Sequence, residues 1–105
     1  MDVQMKRGVL DGLVLAILKQ GDTYGYELTE QVSRRLDIAE MTLYPILRRL
    51  EAQGFLTTYS EACSGRLRKY YHLTPAGQAH LCAVAVELAD LRSIIDSIIE
   101  GAERL

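Results

Sequence analysis

The chain has 105 residues, of which 49% are hydrophobic and 25% are charged, as expected for one globular domain. The apolar stretch at 9–18 is too short for a transmembrane helix and lacks the layout of a signal peptide, so a cytoplasmic protein is expected. Cys63 and Cys82 are too few for a disulfide scaffold and lack the spacing of a zinc site. The net charge of -2 argues against a nucleic-acid partner only if the charge is evenly spread.

The charge is unevenly spread. Residues 40–74 carry five Lys or Arg against three Asp or Glu, whereas residues 75–105 carry two against five. On charge alone, the basic side chains of the middle segment are ordinary solvated surface groups. Their meaning therefore depends on the elements that carry them.

Three helices are predicted in the first half of the chain, because apolar residues recur there at intervals of three and four. The first helix runs from Met5 to Lys19 and stops at Gln20-Gly21. The second begins at a cap on Asp22 or Thr23 and continues to about Leu36. The predicted inward residues are Val9, Leu10, Leu13, Ala16 and Ile17 in the first helix, Leu28, Val32 and Leu36 in the second, and Leu43, Ile46, Leu47 and Leu50 in the third.

After Gln53-Gly54, which ends the third helix, the pattern becomes extended. Phe55–Glu61 and Leu67–Leu73 are rich in the residue types of strands, and the segment between them predicts a hairpin tip with Gly65 at a positive φ. The period of two places Tyr71 and Leu73 on the inner face and Arg68, Tyr70 and His72 on the outer face.

A long final helix is predicted from Thr74-Pro75, with the threonine as cap and the proline at the first helical position. Its apolar stripe follows a heptad pattern through Leu81, Val84, Leu88, Leu91, Ile95, Ile98, Ala102 and Leu105. A chain of this size buries only about 65% of its unfolded surface, so the stripe favours a homodimer over packing on its own domain alone. The predicted dimer contacts are Leu10, Leu81, Val84, Leu88, Leu91, Ile95 and Ile98.

Three helices, a two-stranded hairpin and a long helix form the order of a winged helix-turn-helix, a mainly α fold of the α+β type. Residues 1–74 are expected to form the DNA-binding domain, and residues 75–105 the dimerisation helix, packed with the first helix as one unit. In this architecture the third helix enters the major groove of double-stranded DNA and the hairpin reaches its backbone or minor groove.

The residues predicted to contact DNA are those left outside when the apolar stripe of the third helix is buried. They are Thr42, Tyr44, Pro45, Arg48 and Arg49 on the helix, and Arg66, Arg68 and Lys69 on the hairpin. Thr42 and Tyr44 offer hydroxyl contacts and Arg48 suits a guanine edge or a phosphate. The ring of Pro45 suits a thymine methyl. For Arg49, pairing with a neighbouring acid is the alternative.

Six blocks of the sequence carry a family resemblance: Arg7-Gly8, Tyr24–Leu28, Thr42–Glu51, Gly54, Arg68–Thr74 and Gly77. In this combination the chain resembles the PadR-like transcriptional regulators over nearly its whole length. The resemblance implies a homodimeric repressor that binds a palindromic operator and releases it on meeting a small aromatic or drug-like effector. It also implies DNA contacts for Tyr24, Thr42, Tyr44, Pro45, Arg48 and the bases of the wing, and burial for Tyr26 and Leu47.

The chain departs from the family pattern at the start of the third helix. Where the family usually has Ser-x-Gly-Thr, this sequence has Ala39-Glu40-Met41-Thr42, without the usual cap or the glycine. Asp37 with Glu40 offers an alternative capping box. That box would start the helix earlier and leave Pro45 inside it.

Other classes of function are disfavoured. Around His72 and His80 there is no carboxylate pair, nucleophile motif or phosphate loop at a suitable spacing, so no enzyme, metal site or cofactor is predicted. The rival is a winged helix that binds protein instead of DNA, which the net acidity favours. Cys63, beside Arg66 on the hairpin tip, offers a redox-sensitive thiol as a further alternative.

Overall fold

The computed structural model describes the backbone of residues 3–104 and the side chains of residues 8–104. The elements are α1 (Val3–Gln20), β1 (Thr23–Tyr24), α2 (Gly25–Ser33), α3 (Glu40–Ala52), β2 (Leu56–Cys63), β3 (Arg66–Leu73) and α4 (Pro75–Glu103). This order confirms the winged helix-turn-helix with a long C-terminal helix. The side chain of Arg7, and Leu105 of the heptad pattern, lie outside the described residues.

β1 adds a third strand to the predicted hairpin. The antiparallel strands lie in the order β1-β3-β2, with Thr23 opposite Tyr71 and Leu56 opposite Leu73. The prediction of a helix cap at Asp22 or Thr23 was wrong, because these residues precede or form the strand and α2 begins only at Gly25. Two residues are too few to show an alternating pattern, so β1 is defined only by its pairing with β3.

A two-residue turn joins β2 and β3. Ser64 and Gly65 have φ values of 53° and 79°, and Cys63 pairs with Arg66 on either side of them. Two successive residues with positive φ match the right-handed twist of a hairpin. The prediction for Gly65 is confirmed, and Ser64 shares its left-handed conformation.

The core lies between α1, α2, α3 and the inner face of the sheet. Its buried members are Leu10, Val14, Leu15, Leu18, Leu28, Val32, Ile38, Leu43, Ile46, Leu47, Leu50, Leu56, Tyr71 and Leu73. The predicted faces of α3 and β3 are confirmed. On α1 the prediction was wrong in part, since Val14 and Leu15 are fully buried and Ala16 is exposed. Residues 9–18 are apolar around most of the helix, so packing, and not periodicity, selects the buried face.

α3 begins at Glu40, with Ala39 as its N-cap and no hydrogen bond from a capping side chain. The alternative capping box of Asp37 and Glu40 is therefore absent. Pro45 nevertheless lies inside the helix. Because proline has no N–H, the carbonyl of Met41 receives no helical hydrogen bond from position 45; both residues are exposed, where water can reach that carbonyl.

α4 begins as predicted. The hydroxyl oxygen of Thr74 accepts a hydrogen bond from the N–H of Gly77 at 3.0 Å, and Pro75 is the first helical residue. The hydroxyl of Thr74 also donates to the carbonyl of Gly54 at 2.7 Å, which ties the start of α4 to the end of α3. The helix then extends beyond the body of the molecule, and residues 85–104 are all exposed. The longest dimension of the whole molecule is 60 Å.

No helix within residues 3–104 combines the length and the apolar character needed to cross a membrane.

Candidate nucleic-acid interface

The outer side of α3 is the centre of the candidate interface. With Leu43, Ile46, Leu47 and Leu50 buried, the helical period turns Met41, Pro45 and Arg48 to the opposite side, where all three are exposed. Thr42 is also exposed, on one flank of this face. Four of the predicted contacts, Thr42, Tyr44, Pro45 and Arg48, therefore lie on the accessible surface of one helix.

Tyr44 has a partner within its own helix. Its hydroxyl donates to Oε1 of Glu40 at 2.5 Å, and this hydrogen bond, with partial burial, raises the pKa of Tyr44. The ring lies against α2, so that a Cβ on Gly25 would be 3.2 Å from Cε1 of Tyr44. The hydroxyl proton of Tyr44 is thus donated to Glu40. From the sequence, Glu40 was expected only to take part in a capping box.

Arg49 and Arg48 point to different sides of α3. Nη2 of Arg49 lies 2.6 Å from Oδ1 of Asp11 in α1, and Nη1 contacts Oε1 of Gln53 at 3.3 Å. Arg49 therefore pairs with an acidic residue, the alternative to DNA contact that the sequence suggested for it. Arg49 joins α3 to α1, and the exposed Arg48 is the arginine of the outer face.

The three basic residues of the wing have different surroundings. The guanidinium of Arg68 lies 4.3 Å from the centre of the Tyr24 ring, and its Nε is buried without a hydrogen-bond partner among the described residues. The ammonium of Lys69 lies 5.6 Å from the centre of the Tyr71 ring, with the side chain exposed. Arg66 is exposed beside the turn. Arg68 is therefore packed on an aromatic ring and partly buried, Lys69 is exposed but lies over a ring, and Arg66 is exposed to solvent.

A groove of about 260 Å³ connects the wing to the helices, between the start of α2, α3 and β3. Its walls include Tyr24, Gly25, Tyr44, Arg68 and Lys69. The N-cap residue Tyr24 makes no side-chain hydrogen bond to the start of α2, and Gly25 at that start lines the groove, so the positive end of the helix dipole lies beside it. Two cations beside an uncapped helix start form a suitable site for a phosphate.

The burial expected for both Tyr26 and Leu47 is found only for Leu47. Leu47 is fully buried, as expected, but Tyr26 is 57% exposed, so the expectation of its burial was wrong. Tyr26 is the second residue of α2, and its side chain points away from the buried Leu28 and Val32. A hydrogen bond to Glu30 raises the pKa of Tyr26.

A polar network on the outer face of the sheet was not predicted. The carboxylate of Asp22 accepts hydrogen bonds from the hydroxyl of Tyr59 at 2.7 Å and from Nδ1 of His72 at 2.8 Å. The ring of Tyr59 stacks on Tyr70, which meets Tyr24 edge to face. These contacts join the segment before β1 to both strands of the hairpin, a juxtaposition that only the three-stranded register creates.

The predicted dimer residues lie at different depths in the single chain. Leu10 is 2% exposed and belongs to the core, and Leu81 and Val84 are half-buried. A Cβ on Gly12 of α1 would lie 3.8 Å from both Val84 and Leu88, which shows the close approach of α1 and α4. Further along, Leu88, Leu91, Ile95 and Ile98 are exposed. The distal half of α4 therefore presents an apolar stripe to solvent.

Comparison with known proteins agrees with this geometry. Residues 14–83 match the model of the transcriptional regulator PadR-like family. The chain is 43% identical over 61 residues to the transcriptional regulator Rv3488 of Mycobacterium tuberculosis, covering 57% of each protein. The crystal structure of smu.1704 from Streptococcus mutans has 41% identity and a TM-score of 0.86, with 94% of this chain and 93% of that chain covered.

Another similar solved structure is itself named as a PadR-like transcriptional regulator. The PadR-like transcriptional regulator of Bacillus cereus has 31% identity to this chain and a TM-score of 0.86, with coverage of 93% of this chain and 98% of that chain. The names of the Mycobacterium tuberculosis and Bacillus cereus proteins both describe transcriptional regulators. The chain belongs to the PadR-like family of transcriptional regulators.

Proposed function

We propose that this PadR-like regulator is a homodimeric repressor that binds a pseudo-palindromic operator in double-stranded DNA. The observation that carries the proposal is the continuous surface formed by the outer side of α3 and the groove at the start of α2. On this surface Arg48 faces outward from the helix, and Arg68 and Lys69 stand beside the uncapped helix start. Arg48 enters the major groove of the DNA. The protein groove at the start of α2, together with Arg66, holds phosphates of the DNA backbone.

The dimer forms through α4, supported by α1. The exposed stripe of Leu88, Leu91, Ile95 and Ile98 continues the half-buried stripe of Leu81 and Val84, as in a helix that packs against a second helix. Residues 1–74 then act as the DNA-binding domain and residues 75–105 as the dimerisation helix. In the dimer the two α3 helices lie about 34 Å apart, so that they enter successive major grooves on one side of the duplex.

Ligand control acts through the same interface. A small aromatic or drug-like effector between the subunits changes the separation of the two DNA-binding domains. A compound that binds more tightly to the arrangement with the wrong spacing shifts the population away from the operator-bound state. The chain supports this scheme by placing apolar side chains, and few charges, along the dimer stripe.

The proposal is tested with DNA adjoining the coding region of this protein, searched for inverted repeats and used as labelled duplexes in fluorescence anisotropy. We expect affinity for a repeat-containing duplex to fall steeply with added salt, because each phosphate contact releases a counterion and contributes a slope of about -0.9 in log K against log salt. Salt-insensitive binding, or no binding to any duplex, would instead support a protein-binding winged helix.

A further inference from the structure

Met41 is the most exposed large apolar side chain among the described residues, with 84% of its surface accessible. It lies in the first turn of α3, where the family pattern has glycine. Pro45 follows four residues later and is also exposed, so the two side chains are neighbours on the same side of the helix. Together they form a small apolar surface at the centre of the outer side of α3.

Neither folding nor dimerisation accounts for this pair. The buried side of α3 is complete with Leu43 and Leu47, on the opposite side of the helix from Met41. The exposed apolar residues proposed for the dimer lie on α4. In the proposed function, the outer side of α3 faces the floor of the major groove, and Met41 and Pro45 lie at its centre, followed one turn later by Arg48.

The chemistry of the major groove selects the partner of an apolar pair. The edges of the base pairs carry hydrogen-bonding groups, and the C5 methyl of thymine is the apolar exception. A methionine thioether is flexible and polarisable, and adapts to such a group, while the proline ring presents a rigid apolar edge.

We propose that Met41 and Pro45 form a thymine-recognition pair, in which the two side chains contact the C5 methyl groups of one or two thymines in each half-site. The inference rests on the proposed DNA-binding function and extends it to Met41, a specificity-determining residue. Arg48 supplies the polar contact beside the pair, so the preferred half-site contains thymine next to the base that Arg48 contacts.

The test removes only the methyl group. Duplexes that the full-length protein binds are first selected from a random-sequence pool, and each thymine of the selected half-site is then replaced singly by deoxyuridine, which keeps the base pairing. We expect one or two replacements per half-site to weaken binding about fourfold, the effect of exposing one buried methyl group. Met41→Gln is expected to abolish the difference between thymine and deoxyuridine at one or more of these positions, and Met41→Leu to retain it at all of them.

The control is Arg66→Ala, which removes a charge on the wing. This change is expected to weaken binding to thymine and deoxyuridine duplexes equally. The proposal would be overturned by selected half-sites without thymine, by wild-type binding that is insensitive to every deoxyuridine replacement, or by a thymine preference that Met41→Gln leaves intact. In these three cases the protein still binds duplex DNA, whereas failure to select any duplex would overturn the proposed function itself.

Discussion

Arg48 and Arg49 are consecutive, and their side chains serve different purposes. Arg49 contacts Asp11 at 2.6 Å and stabilises the packing of α3 on α1, whereas Arg48 is exposed on the outer face. Lys69 is exposed on β3 at the edge of the groove that we assign to phosphate. At the scale of single residues, the position of each cation thus predicts whether it recognises sequence, holds the backbone or stabilises the fold.

Arg48→Ala is expected to weaken operator binding by about 1–3 kcal/mol and to relax base preference at one position of each half-site. Lys69→Ala is expected to weaken binding to all duplexes alike and to reduce the salt slope by about 1, because it removes a phosphate contact. Anisotropy titrations over a set of single-base operator variants at several salt concentrations measure both effects. If the two variants behave identically, the division of roles between α3 and the wing is wrong.

Asp22 is expected to give the fold a dependence on acid pH. Hydrogen bonds from His72 and Tyr59 lower the pKa of Asp22, so its ionised form stabilises the folded state. This stabilisation is complete above the pKa of the unfolded chain, about 4, and is lost as pH falls through the lower pKa of the folded chain. In urea unfolding, the stability difference between wild type and Asp22→Ala should therefore shrink below about pH 4.

The same variant has a second readout at alkaline pH. The hydrogen bond to Asp22 raises the pKa of Tyr59 to about 12. An absorbance titration of the tyrosines should show one group fewer ionising near 12 in Asp22→Ala, with Tyr59 returning towards about 10. An unchanged titration would show that Asp22 and Tyr59 are not hydrogen-bonded in solution.

At the scale of elements, the ends of helices decide how the wing is joined to the body. Thr74 links the start of α4 to Gly54, two residues after the end of α3, and Gly77 lets α4 approach the backbone of Phe55, just before β2. A Cβ on Gly77 would collide with the carbonyl oxygen of Phe55 and lie 2.6 Å from Cδ1 of Leu73. The first turn of α4 therefore has no room for a side chain at this position.

Gly77→Ala is expected to lower the free energy of unfolding by about 1–3 kcal/mol, because the neighbouring atom is backbone and cannot move aside freely. Gly101 is the matched control in the same helix, since a Cβ there meets nothing within 4 Å. Gly101→Ala is expected to be neutral or to stabilise the protein by up to about 1 kcal/mol. The stabilities of the two variants are compared by thermal unfolding at one fixed protein concentration. An equal change in stability for Gly77→Ala and Gly101→Ala would contradict the packing described for Gly77.

At the scale of the whole molecule, the body and the distal half of α4 differ in how far their apolar side chains are buried. The body buries its own core, but residues 85–104 of α4 are exposed and carry an apolar stripe. The acidic excess of the chain lies in this helix and the basic excess lies in the wing, whereas the charges within α3 balance. The overall acidity therefore belongs mostly to the part assigned to dimerisation, away from the surface assigned to DNA.

The double substitution Leu91→Lys and Ile95→Lys is expected to raise the dissociation constant of the dimer at least about 100-fold, because an unpaired buried charge costs about 3 kcal/mol or more. Operator binding should be lost with it. Val86→Lys adds a charge on the opposite side of α4 at an exposed position and should leave the dimer intact. Light scattering coupled to size exclusion, with binding measured on the same samples, would contradict the scheme if it found a fully active monomer.

Local patterns were sufficient to predict much of this protein. The alternation in β3, the intervals of α3, the Thr74-Pro75 start of α4 and the glycine of the hairpin turn are all properties of short segments, and each was confirmed. They are readable because each local pattern agrees with the fold that surrounds it. The winged helix-turn-helix followed from the order of these segments along the chain, and the family resemblance followed from six sequence blocks.

Tertiary structure decided the features that depend on distant partners. β1 exists because β3 lies beside it, Arg49 is paired because α1 brings Asp11 to it, and the buried face of α1 is selected by the elements that pack on it. The groove beside the start of α2 combines residues that are far apart in sequence, Tyr24, Tyr44 and Arg68. Such juxtapositions leave no periodic signal within a segment, because their free energy comes from contacts between segments.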